Sequence, residues 1–277
     1  MAKRWSKLSS EWISLGLRRY FGSVGACIRF LLLYPWFRPG ETNQFSFGVQ
    51  GLQDELAYRN AAIPARHLWE IFPGINQVEV TIGQVFPDEG SSISLREMAV
   101  LCALVRHERA VRVFEIGTSL GVTAYNIARN LPEGGLLHTL DLTPAGPGVD
   151  TVETKYEVTV SDRKMIFAQR EHRRFISTSV ENKIQQLYGD SATFDYSPYH
   201  ASCNIVFVDG AHAYPYVESD TLAAFQIVKP GGLVIWHDYN DGFFWPDVHR
   251  YLNEFAKRHA VQRIRGTMFA VARASGT

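Results

Sequence analysis

The sequence predicts a doubly wound α/β fold, with a mainly parallel sheet covered by helices on both faces, and three observations predict it. From residue 91 onward, short apolar runs alternate with segments of helical periodicity. The runs are continuously apolar, as strands buried on both faces require. Glycine, aspartate or histidine follows most of them, at the edge where such sheets bind ligands.

In chain order, Ser94-Leu95-Arg96-Glu97 has the spacing of a capping box, and Leu95, Met98, Ala99 and Cys102 follow at helical intervals, predicting a helix to about His107. Val111 to Ile116 is a β-rich run ending at Gly117, after which Ala124, Ile127, Ala128 and Leu131 restore the helical period. Leu136 to Leu142, Lys183 to Tyr188 and Asn204 to Val208 are the next strands. Pro215 suits the first turn of a helix carrying Leu222, Phe225 and Val228, which stops at Pro230-Gly231-Gly232. Leu233 to Trp236 is a strand, and Pro246 opens a helix with Val248, Leu252 and Phe255 on one face. Val261 to Thr267 and Met268 to Ala274 lie too close for a crossover, so they predict an antiparallel hairpin at one edge. Thr143 to Ser179 is longer than a plain crossover and rich in charge, including Arg163, Lys164, Arg170, Arg173 and Arg174; a lid, a dimer surface and a solvated helix all fit it.

Composition sets the outer limits. With 277 residues, 46% of them hydrophobic, the chain is long enough for one large domain with an appendage and is neither disordered nor fibrous. Lys plus Arg and Asp plus Glu balance at 28 each, which argues against a surface that attracts nucleic acid. Cys27, Cys102 and Cys203 form no C-x-x-C, so neither a disulfide framework nor a zinc site is indicated, and a cytoplasmic setting fits.

Residues 1–90 divide from 91–277 as a basic, partly helical extension. Residues 1–38 carry seven Lys and Arg against Glu11 alone, a balance of +6. Tyr20 to Phe37 is too interrupted by Arg29 and Pro35 to span a bilayer, and it lacks a signal-peptide cleavage site. Its aromatics, from Trp5 to Trp36, suit peripheral contact with the inner face of a membrane. A helical extension packing on its own domain or on a second subunit, in a homo-oligomer, fits better.

The chemistry-bearing residues are those just after each strand. Glu115-x-Gly117-x-x-x-Gly121 enters a helix, so the backbone can approach a ligand at a helix N-terminus; it is neither G-x-G-x-x-G nor a P-loop. Asp141 stands where a carboxylate can accept two ribose hydroxyls, and Asp190-Ser191 where an adenine edge would lie.

Phe114 to Gly121, Leu140-Asp141-Leu142, Gly189-Asp190-Ser191, Val208 to Tyr214 and Lys229 to Gly232 followed by Trp236 to Tyr239 together resemble the class I S-adenosylmethionine-dependent methyltransferases, over roughly Ser91 to Ala274. The resemblance implies a Rossmann-like, seven-stranded sheet with an antiparallel C-terminal hairpin. It also implies a cofactor site built from Glu115, Gly117, Thr118, Ser119, Gly121, Asp141, Leu142, Asp190, Ser191 and Asp209. The fourth and fifth strand ends are similar to macrocin-type O-methyltransferases and cephalosporin-hydroxylase-like proteins, which implies a divalent metal (Mg or Mn) at Asp209, His237 and Asp238. His237 stands where those relatives carry a carboxylate, which makes Mg²⁺ the poorer fit. His212, with an ordinary pKa near ~6.5, is the candidate base together with Asp209.

The expectation is therefore methyl transfer to an oxygen of a small hydroxylated acceptor such as a sugar or natural product. Two alternatives stand beside it: a metal-dependent hydroxylase on the same fold, and a non-catalytic nucleotide-binding or membrane-adaptor protein.

Overall fold

A computed structural model of the chain describes residues 62–84, 93–143, 152–167, 173–240 and 245–275. All belong to one compact unit, Asp54–Thr277. The expectations for residues 1–38, and part of those for 39–90 and for the 143–179 insertion, fall outside the described residues.

The described strands are β1 (Ala65–Arg66), β2 (Arg112–Ile116), β3 (Leu136–Asp141), β4 (Ile184–Tyr188), β5 (Cys203–Val208), β6 (Val228–Trp236), β7 (Gln262–Ile264) and β8 (Ala270–Arg273). They form one sheet in the order β1-β7-β8-β6-β5-β2-β3-β4. Pairings from β6 through β5, β2 and β3 to β4 are parallel, whereas β8 runs antiparallel to both β6 and β7. The doubly wound architecture and the antiparallel C-terminal pair are as the sequence predicts.

Pleating sends successive side chains to opposite faces and divides the core accordingly. Val113, Leu137, Ile205 and Leu233 meet Leu101, Leu104 and Val105 of α2 (Leu95–His107) and Ile127 and Ala128 of α3 (Val122–Asn130). Phe114, Val206, Val234 and Trp236 meet Val217, Ala224 and Ile227 of α5 (Tyr214–Ile227) and Val248 and Leu252 of α6 (Pro246–Phe255). The capping box is realised: Ser94 is the N-cap of α2, its hydroxyl accepts from the Glu97 N–H at 3.2 Å, and Glu97 accepts from the Ser94 N–H at 3.0 Å. Within the insertion lies α4 (Val160–Phe167).

Three details differ from the expectation. The helix expected to carry Val228 ends at Ile227, because Val228 already pairs with Cys203; the register then shifts before Ile205 meets Leu233. The hairpin strands are shorter than expected, with a wider turn between them. The sheet has eight described strands and not seven. The added one, β1, follows α-carbon partners Ala65–Arg263 and Arg66–Ile264, and behind it the short α1 (Leu68–Ile71) leads Phe72 and Ile75 into the core. The domain therefore takes in residues 62–84, ahead of the division drawn at residue 90.

Candidate active site

The turn from β2 into α3 is shaped by glycine. Gly117 has φ +102°, and a Cβ there would overlap the carbonyl oxygen of Asp209 from the neighbouring strand end. Gly121, at φ +78°, caps α3, and a Cβ there would stand 2.7 Å from the Phe175 ring. Between them Ser119 takes φ +46° and aims its N–H at Asp141, 2.9 Å from Oδ2. A cavity of about 510 Å³ opens at this turn and runs across the ends of β3, β4, β5 and β6.

On one side of the cavity stands Asp141, whose Oδ1 accepts from the Leu142 N–H at 2.8 Å and whose Oδ2 also accepts from Arg173 Nη2 at 3.2 Å. Asp190, after β4, accepts from the Tyr216 hydroxyl at 3.0 Å and from the backbone N–H groups of Ala192 and Lys155 at 2.9 and 2.6 Å.

The other side is an acid–imidazole cluster. His237 Nδ1 lies 3.0 Å from both Asp209 Oδ1 and Asp238 Oδ2. Asp238 takes the left-handed φ of +61°, a strained conformation of the kind found at functional sites. Its Oδ2 also meets His212 Nε2 at 2.9 Å, while His212 Nδ1 is 2.5 Å from Asp162 Oδ1 and the His212 N–H donates to Asp162 Oδ2 at 3.1 Å. Trp245 stacks on His212 with ring centroids 3.7 Å apart. Burial works against a charge on His212, but the two hydrogen-bonded aspartates outweigh it and push its pKa up to about 10. Burial likewise opposes charge on His237, and the charges of Asp238 and Asp209 raise it well above the usual value. The surrounding carboxylates thus favour the protonated form of both rings.

Of the residues singled out in the sequence, Gly117, Ser119, Asp141, Leu142, Asp190, Ser191, Asp209, His212, His237 and Asp238 line this one cavity. Glu115, Thr118 and Gly121 do not; Gly121 caps α3 against Phe175, and Glu115 and Thr118 are buried in one hydrogen-bond chain. Thr139 Oγ1 donates to Glu115 Oε2 at 2.5 Å, and the Thr118 hydroxyl shares a 2.7 Å hydrogen bond with Thr139. Burial pushes the Glu115 carboxyl up to about 8, against its hydrogen bond from Thr139. The folded chain then keeps this proton while the unfolded chain loses it near the ordinary value of 4.5, so stability falls as pH rises from about 4.5 to 8. Glu115→Gln is expected to flatten that decline in urea titrations; an unchanged slope would assign it to other groups.

Sequence reasoning missed Asp162, Arg173 as a contact, Trp245 and the role of Glu97. Glu97 Oε2 lies 3.8 Å from His237 Nε2, and although burial opposes its charge, His237 and backbone contacts bring it down to about 2.

The donor set at Asp209, His237 and Asp238 has its three ligand atoms within 4.8 Å of one another. Separations of 3.0 Å, here hydrogen bonds of His237 Nδ1, are also those of octahedral neighbours about 2.1 Å from an ion. With one imidazole beside two carboxylates, that spacing fits Mn²⁺ better than Mg²⁺ by its donors and better than tetrahedral Zn²⁺ by its angles. An ion there would have to displace the Nδ1 proton of His237.

Residues 114–239 match the family model described as a methyltransferase domain. Among curated proteins none matches the chain. Among solved structures, the SAH-bound methyltransferase PaMTH1 of Podospora anserina is 16% identical, with 87% of this chain and 99% of that one covered at a TM-score of 0.51. Cofactor-bound Rv0187 from MTB is 17% identical, with 73% and 87% covered at a TM-score of 0.50. These two share the fold. The family match begins in β2, at the glycine turn, and ends just beyond β6, so it spans every strand end that lines the cavity. Residues 114–239 are therefore similar to a methyltransferase domain, on a fold shared with these two structures.

Proposed function

We propose that the chain methylates an oxygen of a small hydroxylated molecule such as a sugar or natural product. The observation that carries this is the placement of the acid–imidazole cluster in the same cavity as the glycine turn and Asp141. When bound, S-adenosylmethionine supplies the methyl group, and its sulfonium becomes a thioether as the methyl passes to the acceptor. Gly117 and Ser119 hold the methionine side of the cofactor, Asp141 accepts the ribose hydroxyls, and Asp190 with Ser191 borders the adenine.

The acceptor hydroxyl must give up a proton as its oxygen attacks. In its neutral form His212 is the proton acceptor, its Nδ1–H held by Asp162 and its Nε2 lone pair facing the cavity once Asp238 turns away. Asp238 has a second partner in His237, which gives it somewhere to turn. Asp209 fixes His237 on the other side. A divalent ion held by Asp209, His237 and Asp238 would draw Asp238 off His212 and lower the pKa of a bound hydroxyl. Trp245 and Met268 supply an apolar wall beside this polar end.

Among the described residues no helix is long and apolar enough to cross a membrane.

Calorimetric titration with S-adenosylmethionine and S-adenosylhomocysteine, repeated after chelation, followed by a methyl-transfer screen of hydroxylated acceptors, tests the proposal. Micromolar binding and methylated oxygen are expected. Binding with methyl transfer only to nitrogen or carbon acceptors would overturn the choice of oxygen, and a chelator effect on turnover would support the metal.

A further inference from the structure

The insertion between β3 and β4 places one buried arginine behind the cofactor cavity. We infer that Arg173 is a positioning residue for cofactor binding, its guanidinium holding the Asp141 carboxylate in the orientation that receives the ribose hydroxyls. The inference rests on the proposed role of Asp141 at the ribose.

Arg173 Nη2 meets Asp141 Oδ2 at 3.2 Å, and the two side chains are 2% and 10% exposed. Asp141 lines the cavity and Arg173 does not, which places the aspartate between the arginine and a ligand. The backbone that carries it is anchored independently. The Arg174 N–H donates to the Leu120 carbonyl at 2.8 Å, and Phe175 packs over Gly121. The segment is thus fastened to the glycine turn itself.

A buried guanidinium calls for a countercharge beside it. Here Nε and Nη1 are buried with no hydrogen-bond partner among the described residues. Packing alone gives no reason for arginine at this point, whereas an anionic neighbour does. Asp141 receives donors from three directions: its own strand end at Leu142, the glycine turn at Ser119, and the insertion at Arg173. The terminal torsion of an aspartate is broad when unrestrained. Three donors remove that freedom before the ligand arrives, which is how preorganisation raises affinity.

The unpartnered nitrogens admit a competing role, direct capture of the cofactor's methionine carboxylate, and the test separates the two. S-adenosylhomocysteine and methylthioadenosine share the ribose and adenine, but the second lacks the amino acid. Arg173→Met is expected to weaken both by the same factor, roughly 10–100-fold, as for partners that stand behind metal ligands. Arg173→Lys should recover part of the loss, and the Asp141→Asn, Arg173→Met double variant should bind no more weakly than Asp141→Asn alone. Circular dichroism and thermal melts check folding, and Arg173→Lys carries the comparison if the methionine variant melts below assay temperature. Loss confined to S-adenosylhomocysteine would overturn positioning in favour of carboxylate capture. Wild-type binding by Arg173→Met beside weak binding by Asp141→Asn would remove the arginine from the site and leave the ribose assignment standing. Wild-type binding by Asp141→Asn would overturn both.

Discussion

Gly117→Ala is expected to destabilise the domain by about 2–4 kcal/mol and to abolish measurable cofactor binding. Two effects add at this position. The φ of +102° is one that L side chains rarely adopt, so alanine is strained whatever the space around it. The new methyl would also press on the backbone of Asp209, and the two strand ends would have to part. The Asp209 N–H donates to the Ile116 carbonyl at 2.9 Å and the Gly117 N–H to the Leu140 carbonyl at 2.8 Å, so separation breaks contacts on both sides of β2. Relief at one strand end therefore costs the glycine turn and the acid–imidazole cluster together. A urea midpoint and a titration with S-adenosylhomocysteine read the two losses separately. Wild-type values in both would mean that the close approach is not required.

His212→Asn is expected to lower kcat by roughly 10²–10⁴-fold while leaving S-adenosylhomocysteine affinity nearly unchanged, the usual range for removing a general base. Unperturbed turnover would sink the assignment. The companion variant Asp162→Asn tests the physical cause. Burial alone lowers the pKa of His212, and the aspartates raise it to about 10. Neutralising Asp162 removes part of the raising influence, so the ring sheds its proton at lower pH. The alkaline rise of the pH–rate profile should then move toward acid in Asp162→Asn. Stability carries the same sign. Above its unfolded value near 6.5, the folded ring still holds the proton, so the stabilisation from this group is complete below that value and disappears as pH rises toward 10. His212→Asn should remove that part of the decline.

Much of this architecture was legible because it is local. The start of α2 is written in Ser94 and Glu97, three residues apart, and its end in the loss of apolar spacing after His107. The strand ends were legible for the same reason, and Gly117, Asp141, Asp190, Asp209 and Asp238 converge because a parallel sheet puts all its carboxyl ends at one edge. What stayed hidden is non-local. Asp162 meets His212 across 50 positions and Arg173 meets Asp141 across 32, and no periodicity in the insertion announces either contact. Trp245 announces itself only as an aromatic before a helix-opening proline. The ordinary pKa near ~6.5 assumed for His212 failed for the same reason, since the charges that move it arrive from elsewhere in the chain. Glu115 could not be separated from its cavity-lining neighbours by sequence, because pleating alone decides that it is buried and not in the cavity lining. β1 has too few residues for any pattern, and its pairing is imposed by the sheet.

That two-residue strand covers the open side of β7. The Pro64 and Arg66 carbonyls accept from the Arg263 and Arg265 N–H groups at 3.0 and 2.8 Å. These are the groups that an uncovered β7 would offer to a second chain. Ile63 and Phe72, each 1% exposed, bracket the strand and hold it down. A few residues upstream of the cavity's strand ends thus act as a selvedge, satisfying backbone groups that β7 would otherwise leave open.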